Sequence, residues 1–129
     1  MNSDLNIAYF GTDESSAVIL DRLSEAGFTP SLVIASPDKP VGRKKEIQAP
    51  PTKIWADERG IPVIQPENFK EIPRELTHPP AGGWDLFIVV YYPKILPGSV
   101  IDIPERGSLN VHPSLLPKLR GPSPIKTTI

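Results

Sequence analysis

The chain has 129 residues, the size of one compact domain or a piece of one, and its 39% hydrophobic and 22% charged content excludes a disordered tail. With no cysteine and two histidines, disulfides, thiolate metal sites and a cysteine nucleophile are ruled out and no metal is expected; the longest apolar run, residues 86–92, is far short of the ~20 residues that cross a bilayer. The formal net charge of −1 conceals two basic segments, residues 38–45 and the stretch after His112, on an otherwise acidic body, a distribution that favours an anionic substrate or a nucleic-acid end.

Residues 5–10 are an apolar run of strand length, followed at once by Gly11 and Thr12. Residues 14–26 then carry Val18, Ile19, Leu23 and Ala26 at helical spacing, with Gly27 as a stop. Residues 31–36 are rich in branched side chains and predict a second strand. Strand, helix, strand in this order is a right-handed βαβ unit and requires a parallel sheet. Residues 37–51 have no periodicity and read as a basic loop, and residues 52–59 as a short helix ended by Gly60.

The run 61–64 predicts a third strand near a sheet edge, because Pro62 cannot donate to a ladder. Residues 68–76 make a helix interrupted by Pro73, and residues 84–90, almost continuously apolar, the strongest strand, covered on both faces. Residues 100–103 are a helical turn and residues 108–112 a fifth strand, after which the chain loops and starts a helix at Pro124. The alternation defines an α/β class with a Rossmann-like, doubly wound, mostly parallel sheet of about five strands. A domain rarely stops in the first turn of a helix, so residues 1–129 are expected to be the N-terminal part of a longer domain, with no second domain present. The polar start Met1 to Asp4 shows no signal peptide and predicts a soluble, cytoplasmic protein. Trp55 and Trp84 are expected to anchor the core, and His78, in a loop, to have no chemical role.

Open α/β sheets bind ligands beyond the carboxyl ends of their strands. At the end of the first strand, residues 11–16 either hold an anion or a substrate backbone at a helix N-terminus, or simply cap the helix with acids placed on its dipole. With Gly11 as its one glycine, the segment is no dinucleotide fingerprint. At the end of the fifth strand, the two-residue period puts Ser108, Asn110 and His112 on one face. An amide donor beside an imidazole supplies the two needs of acyl transfer, oxyanion stabilisation and proton exchange.

From Asn110 the chain reads Asn-Val-His-Pro-Ser-Leu-Leu-Pro-x-x-Arg-Gly-x-x-Pro, which resembles the signature of formyltransferases that use 10-formyltetrahydrofolate. Phe10-Gly11-Thr12, the run from Pro37 to Lys45, Gly60-Ile61-Pro62-Val63, Gln65-Pro66-Glu67-Asn68 and Ile95-Leu96-Pro97 narrow the resemblance to the methionyl-tRNA formyltransferase family, in order along nearly the whole chain. The resemblance implies a truncated N-terminal catalytic domain that transfers a formyl group from 10-formyltetrahydrofolate, without a metal, to the amine of methionine on its initiator tRNA. Asn110 and His112 would be catalytic. The family's third catalytic residue, a downstream aspartate, has no counterpart here, and neither Asp85 nor Asp102 stands in its motif, so the 129 residues alone are expected to be inactive.

The resemblance further puts the folate against Tyr91, Tyr92, Ile95 and Leu96 and against Ser114, Leu115, Leu116 and Pro117. The tRNA would meet Gly11, Thr12, Lys39, Arg43, Lys44, Lys45 and Arg120, the cations through phosphates. The family's Ala-Tyr-Gly-Gln stands here as Tyr91-Tyr92-Pro93-Lys94, where Pro93 removes a backbone donor. The sequence is also compatible with a formyltransferase acting on a small or sugar-nucleotide amine, against which the basic 39–45 loop argues, and with a non-catalytic fragment that keeps only fold or ligand affinity. An incomplete sheet also has an open edge, which predicts a homo-oligomer through strand pairing or burial of the uncovered face.

Overall fold

A computed structural model describes residues 5–44 and 46–111. Strand β1, Ile7–Phe10, is buried at every position and lies at the centre of a five-stranded parallel sheet. Beside it run β2, Leu32–Ile34, on one side and β6, Leu86–Val90, on the other, with β5, Val63–Ile64, and β7, Ser108–Val111, as the outer strands in the order β5-β2-β1-β6-β7. Alternation of side chains sends Ala8, Phe10, Ile34, Phe87 and Val89 into one apolar layer and Ile7, Tyr9, Val33, Ile88 and Val90 into the other. Both layers are covered, so the strands read as continuous hydrophobic runs. The short β5 does end one edge of the sheet, as Pro62 requires.

Helices α1, Glu14–Glu25, and α2, Pro51–Glu58, contribute Leu20, Trp55 and Ala56 to the second layer. Asp13 caps α1 by accepting from the Ser16 amide at 3.0 Å, and Gly27, at φ 100°, takes the left-handed conformation that lets the chain leave it. Asp21 clasps the helices together: its Oδ1 accepts from Trp55 Nε1 at 2.9 Å and lies 3.3 Å from Arg59, whose guanidinium stands 4.2 Å above the Trp55 ring. The turns α3, Arg74–Thr77, and α4, Gly98–Ile101, supply Leu76 and Val100 to the first layer. Trp84 is buried there too, its indole donating to the Leu76 carbonyl at 3.2 Å, so both tryptophans are core anchors.

Two sequence expectations change. Residues 37–51 are not a plain loop: β3, Lys39–Val41, and β4, Glu46–Gln48, pair antiparallel as a hairpin. Lys39, Pro40 and all of β4 are exposed, and strands of three residues are too short for an apolar period to register; Gly42, at φ 80°, supports the reversal. Residues 68–76 give helix only in α3, after Pro73. Upstream, Asn68 accepts from the Lys70 amide at 3.0 Å and stabilises a turn instead. The fifth strand is observed to Val111; His112 and the helix expected at Pro124 lie outside the described residues.

Gly11 is fixed by packing. Its amide donates to the Ile34 carbonyl at 3.0 Å and its carbonyl accepts from the Thr52 hydroxyl at 2.8 Å, tying β1, β2 and α2 at one point. A methyl group there would overlap the Ser16 hydroxyl and come within 2.9 Å of Tyr9 Cε1.

Candidate active site

From β1 the chain winds outward to β2 and β5 on one side and to β6 and β7 on the other, so the direction of winding reverses between β1 and β6. In doubly wound sheets the crevice at such a reversal, beyond the carboxyl ends of the strands, is where ligands bind. A cavity of about 370 Å³ opens beyond β6 and β7, walled by Val89, Tyr92 and Leu96, with Lys94, Ser108 and Asn110 as its polar side chains. Asn110 is placed by parallel pairing opposite Val89. Its side chain is exposed and has no hydrogen-bond partner among the described residues, which leaves the amide free to donate to a bound group.

Of the residues expected around a formyl donor, Tyr92, Ile95, Leu96 and Asn110 share this cavity, together with Pro93 and Lys94. Ile95 is 94% exposed and therefore no core residue, whereas Leu96 packs against the first apolar layer. Tyr91 is not among them: at φ 53° it turns the chain so that its ring packs on the second layer, while its amide donates to the Val111 carbonyl at 3.1 Å. This left-handed residue sends two consecutive tyrosines to opposite faces at the lip of the crevice. Tyr92 meets Phe10 and Phe69 edge to face, at ring centroid separations of 5.7 and 6.3 Å. Its hydroxyl is buried without a partner among the described residues, and burial pushes its pKa up to about 12, so it stays a neutral donor. His112, Ser114, Leu115, Leu116, Pro117 and Arg120 lie outside the described residues, as does Lys45.

On the other arm of the sheet, Thr12 directs its hydroxyl to Ser36, accepting from the Ser36 amide at 3.2 Å, while the Asp13 cap accounts for the acid that follows. Lys39, Arg43 and Lys44 are exposed on the hairpin and have no ion-pair partner among the described residues. Asp38, which precedes the hairpin, is engaged by Gln65 at 2.6 Å and Lys53 at 3.6 Å. A second cavity, of about 330 Å³, lies between the hairpin and α2 and takes in Thr12, Lys39 and Gln48. Gln48 and its neighbours carry no pattern that marks them as a site in the sequence; Gly42 between two short extended stretches is the signal of the hairpin. His78 is exposed, beside Thr77 at the end of α3, away from both cavities. Among the described residues no three His, Asp or Glu side chains converge as a metal site, and no helix is long and apolar enough to cross a membrane.

The fold and the crevice define a doubly wound α/β domain with a polar group aimed into an apolar pocket at β6 and β7, on one side of the switch point. The sequence model described as formyl transferase matches residues 5–129, and the chain belongs to that family. It is 48% identical, over 95% of its length, to a methionyl-tRNA formyltransferase of Macrococcus caseolyticus. It is 40% identical, over 97% of its length, to proteins of the same name from Halalkalibacterium halodurans and Thermotoga sp. (strain RQ2). The chain spans 39–40% of the length of these relatives.

Proposed function

We propose that this chain is the N-terminal part of a cytoplasmic methionyl-tRNA formyltransferase, which formylates the amine of methionine on initiator tRNA at the crevice beyond β6 and β7. The observation that carries the reading is the Asn110 amide, without a partner among the described residues at the mouth of an apolar cavity, in a member of the formyl transferase family. The cavity suits a folate: its walls are apolar, Tyr92 has a buried hydroxyl with no partner among the described residues, and Ser108 and Asn110 offer polar contacts at one side. When bound, 10-formyltetrahydrofolate supplies the formyl carbon that the amine attacks.

Asn110 would donate from its side-chain amide to the oxygen that gains negative charge as the new carbon–nitrogen bond forms. His112, two residues on in the sequence, would take the proton lost by the amine and return it to the departing nitrogen. Tyr92, Leu96 and Val89 would exclude water from one side of the reacting carbon. The cations Lys39, Arg43 and Lys44 would meet phosphates of the tRNA, which favours a nucleic-acid acceptor over a sugar-nucleotide amine.

The test is formyl transfer by the full-length protein with three acceptors: methionyl initiator tRNA, free methionine and an amino-sugar nucleotide. Turnover with the charged tRNA alone is expected. Turnover with the sugar nucleotide and none with the tRNA would overturn the proposal.

A further inference from the structure

We propose that the second cavity, between the hairpin and α2, receives the unpaired terminal nucleotide of the RNA acceptor, base inward and phosphate toward Lys39; the inference rests on the tRNA reading above. The cavity measures about 330 Å³, at the small end of the range in which small-molecule ligands are held. Pro37, Ala49, Pro50 and Ile54 form its walls, and these aliphatic surfaces suit the face of a heteroaromatic ring. Lys39 and Gln48 stand at its rim as direct cross-strand partners in the hairpin, so an ammonium and an amide emerge side by side on one face. That pair matches a nucleotide, with the cation on the phosphate and the amide on the polar edge of the base. Charge favours the same occupant. Of the two charged side chains that line the cavity, Asp13 is engaged as the cap of α1, and Lys39 has no acid partner among the described residues.

Position agrees with chemistry. Thr12 and Pro37, just beyond β1 and β2, border the cavity, and Asn110 ends β7. In the order β2-β1-β6-β7 these sites are two to three strands apart, about 10–14 Å at ~4.8 Å per strand. A nucleoside whose ribose carries an aminoacyl ester bridges such a gap, with the base in one cavity and the amine at the other.

The experiment measures binding of the full-length protein to a 5′-labelled RNA minihelix ending in CCA and to the same RNA lacking its terminal adenosine. A third RNA carries 2-aminopurine in place of that adenosine. Removing the terminal nucleotide is expected to weaken binding by about threefold or more. The 2-aminopurine signal is expected to change on binding to the wild-type protein and to stay flat with Ala49→Phe, which fills the cavity. Should that variant not fold, Gln48→Ala on the exposed strand β4 is expected to diminish the same signal. Equal affinity for the complete and shortened RNAs, or a 2-aminopurine response that neither substitution alters, would overturn this inference alone. Failure of the wild-type protein to bind any of the RNAs would overturn the tRNA reading and the inference together.

Discussion

The central strands β1 and β6 and the hairpin β3–β4 are built on opposite terms. In β1 and β6 every position but Leu86 is buried, both neighbours supply backbone partners, and rings such as Phe10 and Phe87 touch at 5.2 Å. In the hairpin the strands are three residues long, pair only with each other and expose Ile47 to 65%. Two three-residue strands that bury little are not stable on their own. What the hairpin offers is exposed charge, in Lys39, Arg43 and Lys44, none of which has an ion-pair partner among the described residues.

The sharpest break between them is expected from a core truncation. Phe87 is fully buried, packed against Phe10 and, at 5.8 Å, Trp84, so Phe87→Ala leaves a cavity and costs about 3–5 kcal/mol. Urea unfolding followed by tryptophan fluorescence measures that loss, and a cost below about 1 kcal/mol would contradict the packing described.

A smaller effect comes from alkali. Burial raises the pKa of Tyr92 from 10.0 to about 12, and burial likewise raises that of Tyr9, against a lesser opposing effect of its hydrogen bond to Ser16. Both phenols are favoured as neutral groups in the folded state, so their contribution is whole below pH 10 and drains away as pH rises from 10 towards 12. The unfolding midpoint is expected to hold between pH 8 and 9.5 and to fall between 10 and 12; in Tyr92→Phe the fall is smaller.

The smallest effect on stability belongs to the hairpin. Replacing Lys39, Arg43 and Lys44 together by glutamine is expected to move the unfolding free energy by less than about 0.5 kcal/mol, since none has an ion-pair partner among the described residues. The same triple variant should bind tRNA more weakly, with a shallower dependence on salt. A salt slope unchanged by removal of three cations would separate the hairpin from the RNA.

The same contrast explains what the sequence made legible. Strand β6 could be read directly because Phe87 to Val90 is apolar at every position, which is what burial on two faces demands. The edge place of β5 followed from Pro62 alone, and the shared face of Ser108 and Asn110 from the strand period. The hairpin stayed hidden because exposed strands need no hydrophobic pattern. The helix expected over 68–76 shrank because Asn68 and Pro73 impose local turns that apolar spacing does not weigh. The separation of Tyr91 from Tyr92 was likewise out of reach: it depends on one positive φ that nothing in Tyr-Tyr-Pro announces.

The account stands most directly on the Asn110 side chain, which is exposed, contributes no packing to the core and faces the cavity beyond β6. Formyl transfer to methionyl initiator tRNA should be measured for the full-length protein and for Asn110→Ala, with unfolding midpoints taken alongside. The account predicts a kcat lower by about 100- to 1000-fold at an unchanged midpoint, the loss that follows removal of one oxyanion donor. A kcat within threefold of wild type would show that this amide takes no part in the transfer.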